Sequence, residues 1–482
     1  MYRQGLGDCF LLTFPRSDSG VSSDFHMLID CGVITGGNPA RVVAAVQDIF
    51  TTTNGHLDLL VGTHEHWDHL SGFNQARKLF DKFTVDRVWL AWTEDPNNSA
   101  AADLRSDRSA RLAALRSAVT KMAKTRFSGE MMGIQHVLGF FGDPALAAAG
   151  LEDLGLDLSV AGASTTGDAM RYLASRKDAK VHYCYPSKDD PLALDGVEGV
   201  RVYVFGPPEG IKQLKLINPT KIGKETYGVA PTAAENAFYA AISLPVEGIR
   251  YSQIQELSFP FDIFYQVSPT EAQDPAHDDF FRRCYGFASY DPDKWRRIDE
   301  DWLNSASDLA LNLDNDTNNT SLVLAFELGE PGSGKVLLFP ADAQVGNWLS
   351  WDSLSWTVEN PGKSGVKVTA TDLLARTVLY KVGHHGSHNA TMRAEGLELM
   401  VRDDLVAMLP VDHTMAVKKG WNMPFPDLYT RLGQKTRGRV MRIDTGLPTR
   451  QEAFTLTDAE WQAYVGSTAQ TDLYIDYFLP FT

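Results

Sequence analysis

The chain has 482 residues, of which 44% are hydrophobic, and carries a formal net charge of −16. That length exceeds the usual single-domain size, so two domains or one core with large insertions are expected. No apolar run reaches the ~18 residues of a membrane span, and the acidic balance removes any attraction of the whole surface for polyanions.

The opening residues Met1-Tyr2-Arg3-Gln4-Gly5-Leu6-Gly7-Asp8 lack the apolar stretch of a secretory signal. Cys9 to Phe14 and Met27 to Asp30 are short apolar runs separated by Ser/Gly/Asp turn chemistry, and they read as strands. Arg41 to Ile49 has helical spacing, Leu57 to Thr63 reads as a buried strand, and Asp86 to Ala91 as another. From about Thr93 the texture changes. Ala101 to Arg126, rich in Ala, Leu and Arg, is expected to be helical. Strand patterning returns at Gly199 to Phe205, closed by Gly206-Pro207-Pro208. A second atypical stretch follows, with a helical segment at Ala233 to Ile242 and an aromatic, polar region from Phe259 to Trp302. Ser321 to Phe326, Val336 to Phe339 and Val378 to Val382 resume the core pattern. The expected organisation is one α/β core with two insertions: 1–92 with the ligand-rich loop, 93–198 as a helical insertion, 199–208 as a core strand, 209–318 as a second insertion, and 319–482 as the rest of the core. Cys9, Cys31, Cys184 and Cys284 are widely spaced and read as buried reduced thiols. With no span and no signal, they point to the cytoplasm.

The chemistry concentrates in His64-Glu65-His66-Trp67-Asp68-His69, directly after the strand at Leu57 to Thr63. Imidazole nitrogens and carboxylate oxygens are the usual ligands of zinc and related ions. His64 and His66, two apart on an irregular loop, suit one ion, and Asp68 and His69 suit a second. Ions roughly 3.5–4 Å apart clamp a water and a scissile group between them. Asp342 follows the strand Val336 to Phe339, where a carboxylate bridges both ions on the functional reading and caps a turn on the bland one. Gly383-His384-His385-Gly386-Ser387-His388 follows another apolar strand, and its glycines permit close backbone approach. The strand-then-ligand arrangement thus occurs three times.

Taken with Gly7-Asp8-Cys9, Ile29-Asp30-Cys31-Gly32, Asn319-Thr320-Ser321-Leu322-Val323 and Leu337-Leu338-Phe339-Pro340-Ala341-Asp342-Ala343, these segments resemble the metallo-β-lactamase superfamily. The likeness is to the β-lactamase-like domain of ComEC-type DNA-uptake proteins and their soluble relatives, and it covers roughly half the chain. The resemblance implies an αββα sandwich with the metals at one edge. It assigns His64 and His66 to the first ion, Asp68 and His69 to the second, Asp342 to the bridge, and one or both of His384 and His385 to the remaining positions. Asp30 would steady the metal loop from behind. The pattern departs from the family in three places. Ala341 stands where a glycine is usual. A third histidine for the first ion is not evident, the nearest being His136 and His182. Asn422-Met423-Pro424-Phe425-Pro426 lacks a histidine, although His413 lies nearby.

The expected function is therefore that of a metal-dependent hydrolase, first a phosphodiesterase or nuclease using a metal-bound hydroxide. Zinc is the default ion, two in number, with manganese or iron as alternatives. Asp68, His384 and His388 are the candidate catalytic residues. A protonated histidine not engaged as a ligand would protonate the leaving group, and Ser387 would donate a hydrogen bond to a substrate oxygen. Arg105, Arg108, Arg111, Arg116, Lys121, Lys124 and Arg126 make the first insertion helix basic, a strip for a phosphate backbone, with a solvated helix face as the simpler account. Phe280-Phe281-Arg282-Arg283 and Trp295-Arg296-Arg297 would stack bases or pack a core. Two other readings stay open: a hydrolase of a small ester, thioester or lactam, and a non-catalytic binding protein on a degenerate hydrolase fold.

Overall fold

The computed structural model describes residues 1–16, 24–122, 129–142, 165–186, 191–216, 267, 274, 278–285, 301–360 and 363–480. The chain is mixed α/β and forms two compact units, the larger of Met1–Ser106, Gly139–Ala230 and Asp314–Thr482, the smaller of Asp107–Leu138 and Pro231–Leu313.

In the larger unit the apolar runs become the strands of two principal sheets. β1 (Cys9–Phe14) pairs antiparallel with β2 (Phe25–Cys31), and β3 (His56–Gly62), β4 (Thr84–Ala91) and β5 (Lys180–Cys184) follow in parallel, in the order β1-β2-β3-β4-β5. The second sheet contains β6 (Val200–Gly206), β7 (Val323–Leu328) and β8 (Lys335–Phe339), paired antiparallel. The strands β9 (Ser355–Asn360) and β10 (Lys363–Thr369) form a separate hairpin. β11 (Thr377–Lys381), β12 (Val406–Leu409) and β13 (Val440–Arg442) then extend the second sheet in parallel from β8.

Period-two alternation decides which side chains face where. Met27 and Ile29 of β2 and Leu59 and Val61 of β3 enter one core with Val202, Val204, Leu324, Phe326, Leu337 and Phe339 of the second sheet. Leu28 and Leu60 point the other way, into a cluster with Val46 and Ile49 of the helix Pro39–Thr52, Leu70 and Phe73 of Trp67–Gln75, and Met170 and Leu173 of Thr166–Ala174. On the second sheet, Tyr380 and Phe205 meet Trp348 and Trp351 at the helix Val345–Ser350. Parallel strands covered on both faces have near-continuous apolar sequences, which is why these runs were readable.

The expected strands are present. β5 and the helix Thr166–Ala174 lie inside the stretch read as a helical insertion, and β5 completes the first sheet beside β4. Lys180-Val181-His182-Tyr183-Cys184 is a short, half-exposed edge strand, so its pattern is weak. The helix expected from Ala101 to Arg126 runs Ser99–Met122. The expected helix at Ala233 to Ile242, the cations Lys124 and Arg126, and Trp295-Arg296-Arg297 lie outside the described residues.

Within the smaller unit the described segments are largely helical. Arg111 is buried there and ion-paired with Asp107 at 3.1 Å. Phe280, Phe281 and Tyr285 pack their rings together on Asp278–Tyr285. Among the described residues no helix is long and apolar enough to cross a membrane. Cys9, Cys31 and Cys184 are buried and Cys284 is half-buried, all as free thiols.

Candidate metal centre

The ligand candidates leave the C-terminal ends of strands: β3 runs into the histidine loop, β8 into Asp342 and β11 into His384 and His385. This is the usual place for a site in parallel sheets, because the loops there leave the layered core. The histidine loop is clamped from below. A Cβ at Gly32 would meet the Asp68 carbonyl carbon at 2.3 Å, and the Asp8 amide donates to the Asp68 carbonyl at 3.0 Å. Glycine is what allows that approach.

Asp30 (φ 55°) accepts from the Thr63 amide at 2.9 Å and the Thr63 hydroxyl at 2.6 Å, and its Oδ2 lies 2.7 Å from His69 Nδ1. The carboxylate thereby fixes the His69 ring and aims Nε2 at Asp342 Oδ2, 3.1 Å away. Burial opposes charge on His69, but Asp342, Asp8 and Asp68 around it raise its pKa well above the ordinary value.

Asp342 is presented by a turn in which Ala341 has φ 49°, and His384 and His385 have φ 42° and 54°. Left-handed backbone costs a non-glycine residue about 1–2 kcal/mol, and clusters of it mark sites held by their surroundings. The two histidines diverge. His385 Nδ1 lies 2.7 Å from the Pro410 carbonyl, which turns Nε2 to within 2.7 Å of Asp68 Oδ2 and 3.9 Å of Asp342 Oδ2. His384 instead places Nδ1 3.3 Å from Gln344 Nε2. His385 is therefore the member of the pair that joins the cluster. The donor atoms of Asp68, His69, Asp342 and His385, all buried, lie within 4.8 Å of one another. Burial raises the Asp68 pKa, but His69 and His385 outweigh it and bring it to about 2. The same competition, led by His69 and Lys381, takes Asp342 well below its ordinary range.

His64 and His66 form the neighbouring pair, with His64 Nε2 3.1 Å from His66 Nδ1 and Thr63 Oγ1 3.1 Å from His64 Nδ1. Phe140 and Phe141 flank the His66 ring. Burial lowers the pKa of both histidines, His66 to about 3. His69 stands against this pair, its ring centroid 4.2 Å from that of His64, and no further histidine joins them among the described residues. His182 lies on β5 beside Trp89, His413 places Nδ1 2.9 Å from the Met423 carbonyl, and the side chain of His136 is outside the described residues. The residue facing His66 is Asp314, whose Oδ1 is 3.7 Å from His66 Nε2. Burial, with Asp68 and Asp342 nearby, pushes Asp314 up to about 8. Sequence reading missed it because it sits in the polar run Asp314-Asn315-Asp316-Thr317-Asn318-Asn319.

The remaining candidates lie at the margin. Ser387 donates to Asn389 at 2.9 Å, a local role. His388 faces the Phe425 ring at 5.8 Å, and burial lowers its pKa. Burial also brings His384 down to about 4. Both shifts favour the neutral imidazole, which suits proton acceptance more than the expected role of a protonated donor. The segment Asn422 to Pro426 does meet the histidine-pair loop, where the Phe425 amide donates to the Gly386 carbonyl at 2.8 Å.

The donor set fits a divalent ion. Asp68 Oδ1, Asp342 Oδ2, His66 Nε2 and His69 Nε2 are buried and make no hydrogen bond. Buried polar atoms nearly always have partners, so such orphans need an explanation; His69 Nε2 and Asp342 Oδ2 face each other at 3.1 Å inside the four-residue cluster, whereas His66 Nε2 faces Asp314. Mixed imidazole and carboxylate donors suit zinc, and also manganese or iron. The chain matches no protein-family model, no curated protein and no solved structure.

Proposed function

We propose that this chain is a dinuclear metal-dependent hydrolase of the metallo-β-lactamase kind, on an αββα sandwich, acting on a phosphodiester. The observation that supports it above others is the convergence of Asp68, His69, Asp342 and His385 from three separate strand ends, with buried donor atoms left unbonded. Asp68, His69, Asp342 and His385 would hold one ion; His64 and His66, sharing Asp342, would hold the other. Bound ions of this type supply Lewis-acid charge and activate water at neutral pH. The chain's own contribution is orientation and proton handling. Asp30 and the Pro410 carbonyl fix the rings of His69 and His385 so that each offers Nε2. Neutral His384, held against Gln344, is available to accept a proton from an attacking water.

One observation favours a small substrate over a polymer. Arg105 spends its guanidinium on the Thr93 and Asp95 carbonyls at 2.6 and 3.2 Å, and Arg111 is buried. The basic strip therefore has fewer free cations than its sequence suggests. The full chain is tested with bis(p-nitrophenyl) phosphate after chelation and zinc add-back, with His66→Ala alongside. Zinc-dependent turnover, lost in His66→Ala together with bound metal, is expected, and undiminished turnover in His66→Ala would refute the proposal. Salt separates the substrates, since polymer binding weakens steeply with ionic strength and small-ester turnover does not.

A further inference from the structure

A lysine at the end of β11 is buried completely, with no exposed side-chain surface. Lys381 Nζ lies 2.5 Å from Asp8 Oδ2, 2.8 Å from the Ala341 carbonyl and 3.3 Å from Asp342 Oδ1. An ammonium has three N–H donors, and here each has an acceptor. Long cationic side chains are almost never buried to this degree without such pairing. The His384 amide also donates to Asp342 Oδ1, at 3.0 Å. One oxygen of Asp342 is thus fully engaged, while Oδ2 makes no hydrogen bond and faces His69 Nε2 and His385 Nε2.

We infer that Lys381 is a positioning residue for the metal centre: with the His384 amide it ties up Asp342 Oδ1, so that this carboxylate meets the ions through Oδ2 alone. The inference rests on the metal-centre reading above. Charge alone does not account for the arrangement, because a lone cation beside the ligands repels a divalent ion. Asp8 answers this. Lys381 and Asp8 form a pair of zero net charge, so what the pair delivers to the centre is geometry. The same ammonium holds the Ala341 carbonyl, which fixes the left-handed turn that carries Asp342. A carboxylate free to rotate would alternate between one-oxygen and two-oxygen binding, and the site would lose its preorganisation.

Lys381→Met alone leaves Asp8 buried without its counter-charge, and such variants often fail to fold. The informative variant is the charge-balanced Lys381→Met/Asp8→Asn double, with Lys381→Arg as a charge-retaining second. Each full chain is stripped with chelator and titrated with zinc against a chromophoric competitor, and the visible spectrum of the cobalt form is recorded. The expected result is an unchanged number of ions bound by the double variant, with affinity reduced roughly 10–100-fold, the range for losing a partner behind a ligand. The cobalt absorption should weaken as Asp342 gains a second contact. Lys381→Arg should fall on the same side, because a planar guanidinium does not reproduce the three directions of an ammonium. A folded double variant, or a folded Lys381→Arg, with wild-type zinc affinity and cobalt spectrum overturns the inference and leaves the hydrolase proposal standing. A wild-type chain that binds no zinc overturns both.

Discussion

The two halves of the candidate centre are built to different standards. Asp68, His69, Asp342 and His385 come from three strand ends and bring their donors within 4.8 Å of each other. Behind them stand Asp30, the Pro410 carbonyl and Lys381, each fixing one ligand. His64 and His66 supply two facing nitrogens, 3.1 Å apart, with the His69 ring 4.2 Å from His64 and Asp314 3.7 Å beyond His66. The lesson is that ligand count in a sequence motif does not measure a site. The convergent half has support from behind every ring, whereas the histidine pair leans on Thr63 and on aromatic walls.

The largest effect should come from Asp342, which the proposal assigns to both halves. Asp342→Ala should empty the centre of metal and lower turnover by more than about a thousand-fold, the scale on which dinuclear clamps contribute. Metal analysis of the purified variant is the check, and retention of two ions would remove Asp342 from the bridge. A smaller, asymmetric effect tests the comparison itself. Zinc titration of the wild-type chain should be biphasic, with the tighter step lost in Asp68→Ala and the weaker step lost in His64→Ala. Equal affinities would mean that support from behind the ligands does not matter here.

The difference between the halves also explains what was legible beforehand. Each ligand candidate after a buried strand stood out, because an apolar run that ends in His or Asp is chemically abrupt: His64 after β3, Asp342 after β8, His384 and His385 after β11. Asp30 was named through the family resemblance and not from its position within β2. Which of His384 and His385 turns inward was not readable, since it depends on left-handed φ values that Cβ-bearing residues rarely adopt. Lys381 was passed over because a lysine at a strand end ordinarily marks a solvated edge. Asp314 was hidden by the polar residues around it, and β5 by its short, half-exposed sequence.

Protonation sharpens the contrast, because the halves carry opposite shifts. His64, His66 and His384 are held below their ordinary value of 6.5 by burial, so the unfolded chain binds their protons first as pH falls. Their stabilisation is present above 6.5 and is lost toward the folded values of about 3 for His66 and about 4 for His384. His69 and His385, raised by neighbouring carboxylates against burial, behave the other way: their contribution is complete below 6.5 and disappears as pH rises through their folded values. Asp314, protonated up to about 8, adds to the alkaline loss and softens the acid one. The chelator-treated protein should therefore be most stable near pH 6.5, and a monotonic dependence between pH 5 and 8 would contradict these assignments. Zinc affinity should rise with pH across the same window, because His69 and His385 must release protons to bind.

The smallest prediction concerns the left-handed turn that carries Asp342. Replacing a buried alanine with glycine ordinarily costs roughly 0.5–1 kcal/mol in chain entropy and about 0.8 kcal/mol for the lost methyl. Ala343, fully buried and without a positive φ, should show that full loss in Ala343→Gly. Ala341 is almost as buried, at 3% exposure, but its φ of 49° returns about 1–2 kcal/mol when the Cβ is removed. The terms nearly cancel, so Ala341→Gly should be close to neutral by denaturant unfolding while Ala343→Gly is not. Equal losses at the two positions would show that the left-handed turn stores no strain, and that the presentation of Asp342 rests on its hydrogen bonds alone.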